Sequence, residues 1–173
     1  GHTTAIMTLE FCSHMVGKGW DVSVLAGRPH HGGAEQYSDF RYDLLEFEKI
    51  NGITVYRCWY PLPESGTWSR VLSYLLQVIS TSINLIRLKN VNVIITLGPP
   101  LLGPVGGWLG SKMKRSRLIH VVYDLYPDIA IDDGLLSNPF LISLAHMIEG
   151  IQHRADRLVV LSKSFKEHFI EKG

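Results

Sequence analysis

Apolar and polar positions along the chain follow two periods, and the switches between them mark the elements. Thr3 or Thr4 can cap a helix in which Ala5, Leu9, Cys12 and Val16 recur on one face, with "GKG" at 17–19 ending it. "DVSVLA" (21–26) alternates as a strand. Residues 27–51 form a polar segment rich in Gly, His and Asp, too long for a connector, which reads as a functional or mobile loop. "GITVYRC" (52–58) predicts a second strand, followed by a turn-rich stretch through Gly66. A long helix is predicted over 68–89 and a third strand over 91–97, stopped by Pro99 and Pro100. A glycine-laden helix, "LLGPVGGWLGSKM", leads to a fourth strand at 117–123. Asn138 caps and Pro139 starts a helix reaching about Ala155, then a fifth strand (157–162) and a short helix (163–172) close the chain.

Strands separated by helices predict parallel βαβ units: an α/β, doubly wound sheet covered by helices on both faces. A length of 173 residues suffices for one domain, 1–173, with a real core. A composition of 46% hydrophobic and 19% charged residues excludes a disordered chain or a coiled coil. A net charge of +1 removes any global field towards nucleic acid. Cys12 and Cys58 have neither CxxC nor zinc spacing, and read as small buried side chains in a reducing compartment. The opening "GHTT" and closing "EKG" read as the cut ends of a longer protein.

The helix over 68–89 carries Arg70, Ser73, Gln77, Ser80, Asn84 and Arg87 at three- and four-residue steps, one narrow polar stripe on an otherwise apolar rod. Its two arginines and internal polar residues exclude a membrane span. Burial against the sheet, with the stripe facing water, is one reading; contact with lipid or a lipid-linked ligand is the other. His146, Glu149 and His153 share a face of their helix, which reads as a solvated polar face before a metal site. His30 and His31 carry no metal spacing, and His120 with Asp124 lacks the nucleophile elbow of a hydrolase.

The most informative stretch is "VVYDLYPDIA" (121–130). Leu118, Ile119, Val121 and Val122 form a strand buried on both faces, and Pro127 forces it to stop near Tyr123. Asp124 then stands at a strand's carboxyl end, where open α/β sheets place ligands. It can also simply satisfy loop backbone donors, as turn aspartates do. The glycine-rich "GPPLLGPVGG" (98–107) lies at another strand's carboxyl end; it is neither GxGxxG nor a P-loop.

Several segments together resemble the family-4 glycosyltransferases. "GHTTAIMTLEFCSHMVGKGWDVSVLAGRPHH" is similar to the family's opening, "NGITVYRCWYP" to its G-I-x-V-x-R strand, "SRVLSYL" to its R-L-x-x-Y helix and "TLGPPLLG" to its T-x-x-P-P loop. "VVYDLYPDIAIDDGLLSNP" resembles the D-L-(W/Y)-P segment of bacterial polysaccharide transferases acting on lipid-linked acceptors, and "IEGIQHRADRLVVLSKSFKEHFIEKG" their Ala-Asp–strand–Ser stretch. The resemblance implies a Rossmann-like sheet, the amino-terminal acceptor-side half of a two-domain GT-B fold. The family's first strand, beside 21–26, and its donor-binding carboxyl-terminal domain are absent from these residues, so the resemblance implies that the fragment alone is inactive.

The resemblance implies transfer of a sugar from a nucleotide-sugar donor to a lipid-linked or polysaccharide acceptor in cell-envelope synthesis, with retention. Asp124 takes the catalytic place where the family often carries a His. Gly1, His2 and Thr3, at a helix mouth, would bind the donor's phosphates, and Gly98, Pro99, Pro100, Tyr123, Pro127 and Asp128 would line the cleft or hold the acceptor. No cofactor and no metal are implied. The place implied is cytoplasmic, at the inner face of the plasma membrane, touching it peripherally, with no nucleic-acid partner. A membrane-surface or partner-binding module without catalysis is the alternative. A nicotinamide-dependent oxidoreductase is disfavoured because the strand at 21–26 ends in Ala26-Gly27-Arg28 with no acid.

Overall fold

A computed structural model describes residues 2–27, 47–59, 67–98, 102–132, 134 and 136–172. The chain divides into two compact units, Gly1–Leu85 and Ile86–Gly173. The first contains α1 (His2–Gly17), β1 (Ser23–Gly27), β2 (Phe47–Ile50), β3 (Ile53–Cys58) and most of α2 (Thr67–Arg87). The second contains β4 (Val93–Leu97), α3 (Gly103–Lys114), β5 (Arg117–Val122), α4 (Asp128–Asp132), α5 (Pro139–Gln152), β6 (Arg157–Val160) and α6 (Lys163–Glu171).

In the first unit the sheet runs β1-β3-β2, with β1 parallel and β2 antiparallel to β3. The five predicted strands are present, but the sheet is not parallel throughout. β2 lies inside the stretch 27–51 expected to be loop. Its sequence FEKI alternates exposed and half-buried positions, and Asn51 and Gly52 turn the chain back with φ of 51° and 82°. A two-residue turn of left-handed residues is what an antiparallel hairpin requires. An Arg57–Glu48 ion pair crosses that hairpin. Cys12, Ile53 and Val55 form the core, with Val16, Val22, Val24, Ala26 and Ile50 packed against it. Only the carboxyl-terminal half of α1 takes part, because Ala5 and Leu9 are exposed. The helix also begins at His2, which puts Thr3 and Thr4 in its first turn and not at the cap.

α2 is oriented opposite to the first expectation for its stripe. Ser73, Ser80 and Asn84 are buried, whereas Leu72, Leu75, Ile79 and Ile83 are 47–56% exposed. The middle of the stripe faces inward, while Arg87 stays exposed: Asn84 hydrogen-bonds the Cys58 thiol and donates to the Ser80 carbonyl at 3.1 Å, and Ser80 Oγ is buried without a partner among the described residues. Both cysteines are free and buried, and burial pushes the Cys58 thiol up to about 11, so it stays protonated.

In the second unit β4, β5 and β6 run parallel in that order. With α3 between β4 and β5, and α5 between β5 and β6, this is a Rossmann-like succession. β5 buries Leu118, His120 and Val122 at two-residue spacing. Asn138 caps α5 as expected, accepting from Phe140 N at 3.0 Å and Leu141 N at 3.3 Å. α3 approaches the sheet through Gly107: a Cβ there would stand 2.2 Å from Thr96 Cγ2 and 3.2 Å from Leu118 Cδ1. Thr96 is itself held by His120, so it cannot swing aside cheaply. Gly107→Ala should therefore cost about 1–3 kcal/mol by overpacking, measured as a lower denaturant midpoint. An unchanged midpoint would mean that α3 shifts freely on the sheet.

Candidate active site

The carboxyl ends of β4 and β5 bring together residues 23 apart in sequence. Gly98 N donates to Val121 O at 2.9 Å, which fixes the first turn residue against the end of β5. A Cβ on Gly98 would meet Val121 O at 3.5 Å and His120 Cε1 at 3.7 Å, ordinary contacts, so Gly98 itself packs beside the His120 ring. Pro99 and Pro100 lie outside the described residues.

Beyond Val122 the chain bends through half-buried Tyr123 to Asp124, whose carbonyl accepts from Tyr126 N at 3.1 Å. Pro127, after a cis peptide bond, is buried and anchors the loop, and its carbonyl accepts from Ile131 N at 3.1 Å as α4 begins. Asp124 is exposed, and its carboxylate makes no hydrogen bond or ion pair with the described residues. Asp156 shows the contrast. Its carboxylate accepts from Leu118 N at 2.8 Å and pairs with Arg117 at 3.1 Å, and these bonds hold it below its usual range.

His120 is the residue that Gly98 packs beside. It is buried, its Nδ1 is 2.8 Å from Thr96 Oγ1, and burial pulls it down to about 4 against a weaker opposing bond with Thr96. The ring is thus neutral at physiological pH. Sequence reasoning used His120 only to dismiss a triad, although its two-residue spacing from Leu118 and Val122 already marks it as buried.

Asp128 is placed differently from a free cleft carboxylate. Lys172 Nζ lies 2.7 Å from Asp128 Oδ2 and 2.9 Å from Glu149 Oε1, and His168 Nε2 lies 3.3 and 3.7 Å from the same oxygens. His146 Nδ1 approaches Glu149 Oε2 at 3.2 Å. Glu149 is buried, so the α5 face is not solvated there, in contrast to the sequence expectation. Asp128, Glu149 and His168 offer ligand atoms within 4.8 Å of one another, but the Lys172 ammonium is already the cation between the two carboxylates. Burial opposes its charge, yet the hydrogen bonds to Asp128 and Glu149 outweigh burial and hold it above its usual value. Lys172 and His168 were not foreseen, since nothing local links α6 to α4. Gly1 lies outside the described residues; His2 and Thr3 open α1 in the first unit.

The parallel strands and crossover helices of the second unit define the Rossmann-like class of α/β domain. The chain matches the glycosyl transferase 4-like domain over residues 3–173 and belongs to that family. No curated protein matches it in sequence.

Proposed function

We propose that this glycosyltransferase domain serves the acceptor side of transfer from a nucleotide sugar to a lipid-linked or polysaccharide acceptor of the bacterial cell envelope, with retention. The observation that carries the reading is the exposed carboxylate of Asp124, unpartnered among the described residues, just past the end of β5, the strand whose Val121 carbonyl holds Gly98 N. A carboxylate so placed can accept from sugar hydroxyls or take the acceptor's proton. Gly98, Pro99, Pro100 and Tyr123 then line the acceptor side, and Pro127 fixes the loop that presents Asp124. Asp128 contributes through the ion cluster that ties α4 to α5 and α6. Gly1, His2 and Thr3 would offer backbone amides at the mouth of α1 to the donor's diphosphate, charge that otherwise calls for a metal. The test is transfer of labelled sugar by the full-length enzyme to polyprenyl-diphosphate-linked acceptors. Hydrolysis or redox turnover without transfer would end the reading.

Peripheral contact at the cytoplasmic membrane face belongs to the same proposal. No helix among the described residues is long and apolar enough to cross a membrane. The exposed row Leu72, Leu75, Ile79 and Ile83 on α2 is the surface that would lie on lipid, with the preceding segment's Trp59, which is half-buried, and Tyr60 and the Trp68 side chain, which lie outside what is described, as the aromatic candidates. Leu75→Ser with Ile79→Ser should weaken binding of the full-length enzyme to anionic vesicles in co-sedimentation by about thirtyfold or more, since two apolar side chains of this size are worth over 1 kcal/mol each on burial. Equal sedimentation of the double variant would remove α2 from the contact.

A further inference from the structure

The opposite end of the second unit's sheet carries an open basin of about 1040 Å³. Asn92 precedes β4, Arg117 begins β5 and Asp156 precedes β6, so the basin lies at the strands' amino ends, away from Gly98 and Asp124. Six of the chain's 17 lysines and arginines line it: Lys89, Lys112, Lys114, Arg115, Arg117 and Arg154. One carboxylate, Asp156, faces them. In a chain with a net charge of only +1, such segregation makes a local field that the overall charge hides.

Three of the six are already occupied. Lys114 Nζ donates to the carbonyls of Ile86 at 2.8 Å and Leu88 at 2.6 Å, closing the end of α2; Arg117 pairs with Asp156 at 3.1 Å; Arg154 lies 5.2 Å over the Trp108 ring. The side chains of Lys89, Lys112 and Arg115 make no hydrogen bond or ion pair with the described residues. Ser116 Oγ, also in the lining, is buried without a partner.

Arg115 is the telling residue. It ends α3 in the left-handed conformation, φ 53° and ψ 39°, while its own N–H donates to Ser111 O. That is the position where helices prefer glycine, because a Cβ there is strained. An arginine at this place costs stability and gains no side-chain partner among the described residues. Its guanidinium instead projects a donor fork from the rim of a cationic basin.

We propose that the basin is a binding site for clustered phosphate groups, of diphosphate or phospholipid-headgroup chemistry, distinct from the candidate active site. Lys89, Lys112 and Arg115 are the cations with no hydrogen bond or ion pair among the described residues, Lys112 acting on Asp156 only through its longer-range field, and the polar, open lining suits a phosphate-bearing ligand better than an apolar one.

The test is calorimetric titration of the full-length protein with inorganic pyrophosphate at low and high salt. Binding should weaken with salt, and Arg115→Gly and Lys112→Gln should each weaken it about fivefold, the share of one surface cation in binding clustered anionic phosphates. Arg115→Gly should leave the melting temperature unchanged or raise it, because glycine relieves the left-handed residue. That opposition separates a ligand role from a structural one. Vesicles distinguish the phosphate source: retention on phosphatidylglycerol but not phosphatidylcholine, displaced by pyrophosphate, assigns the site to headgroups. Pyrophosphate binding without such retention assigns it to a soluble ligand. Absence of both, or binding that Arg115→Gly and Lys112→Gln leave unchanged, overturns the proposal.

Discussion

Asp124→Asn in the full-length enzyme should lower kcat by about 10²- to 10⁴-fold if the carboxylate takes the acceptor proton, the usual worth of a general base. Asn keeps the size and one acceptor oxygen of Asp, so it can still accept from a sugar hydroxyl but cannot carry a proton. If Asp124 only positions sugar, the loss should be smaller, near tenfold, and should fall largely on KM. Folding should barely change, by less than about 0.5 kcal/mol, because an exposed side chain with no partner among the described residues has little to lose. The two readouts together separate the base, the positioning group and the ordinary loop residue. A variant with near-normal kcat and KM would return Asp124 to the last of these, whatever the domain's family. The ion cluster around Lys172 gives the control: it holds Asp128, four residues on, and Lys172→Met would disturb α4 without touching the Asp124 carboxylate.

Much of the fold was legible because strands and helices differ in period. Val93–Leu97, Arg117–Val122 and Arg157–Val160 fall within two residues of their expected limits, each bounded by a proline, a cap or a glycine. β2 was hidden because FEKI is half charged and sits beside polar residues; its pairing depends on the Asn51-Gly52 turn, not on its own pattern. α2 shows a deeper limit. Spacing shows that two faces of a helix differ, but not which faces inward. An apolar face is the default inside, and here Asn84 finds a thiol at Cys58, 26 residues away in sequence, while the apolar row stays outside. The site was legible where it is local, as in the stop at Pro127 that leaves Asp124 at a strand end. It was not legible where it depends on long-range meetings, such as Lys172 between Asp128 and Glu149, or Thr96 against His120.

The Thr96–His120 pair gives the second large expected effect, a loss of stability in mild acid. In the unfolded chain His120 takes a proton as the pH falls past about 6.5, its ordinary value; in the folded chain burial delays this to about 4. Between those values the unfolded state binds more protons, so stability rises with pH there. The native advantage is complete above about 6.5 and is lost progressively as the pH falls to about 4, a total of about 3 kcal/mol. Asp156, held low chiefly by the Leu118 N–H, acts in the same direction but only near and below the usual carboxylate range. His120→Gln separates the two. Gln can still bond Thr96 Oγ1 but cannot titrate, so its stability between pH 6.5 and 5 should be nearly flat where the parent falls. Hydrogen exchange at the β4 and β5 amides follows this in the second unit itself. The absolute stability of the variant is immaterial, because the comparison is between slopes. Parallel slopes would mean that water reaches the His120 ring in the folded chain.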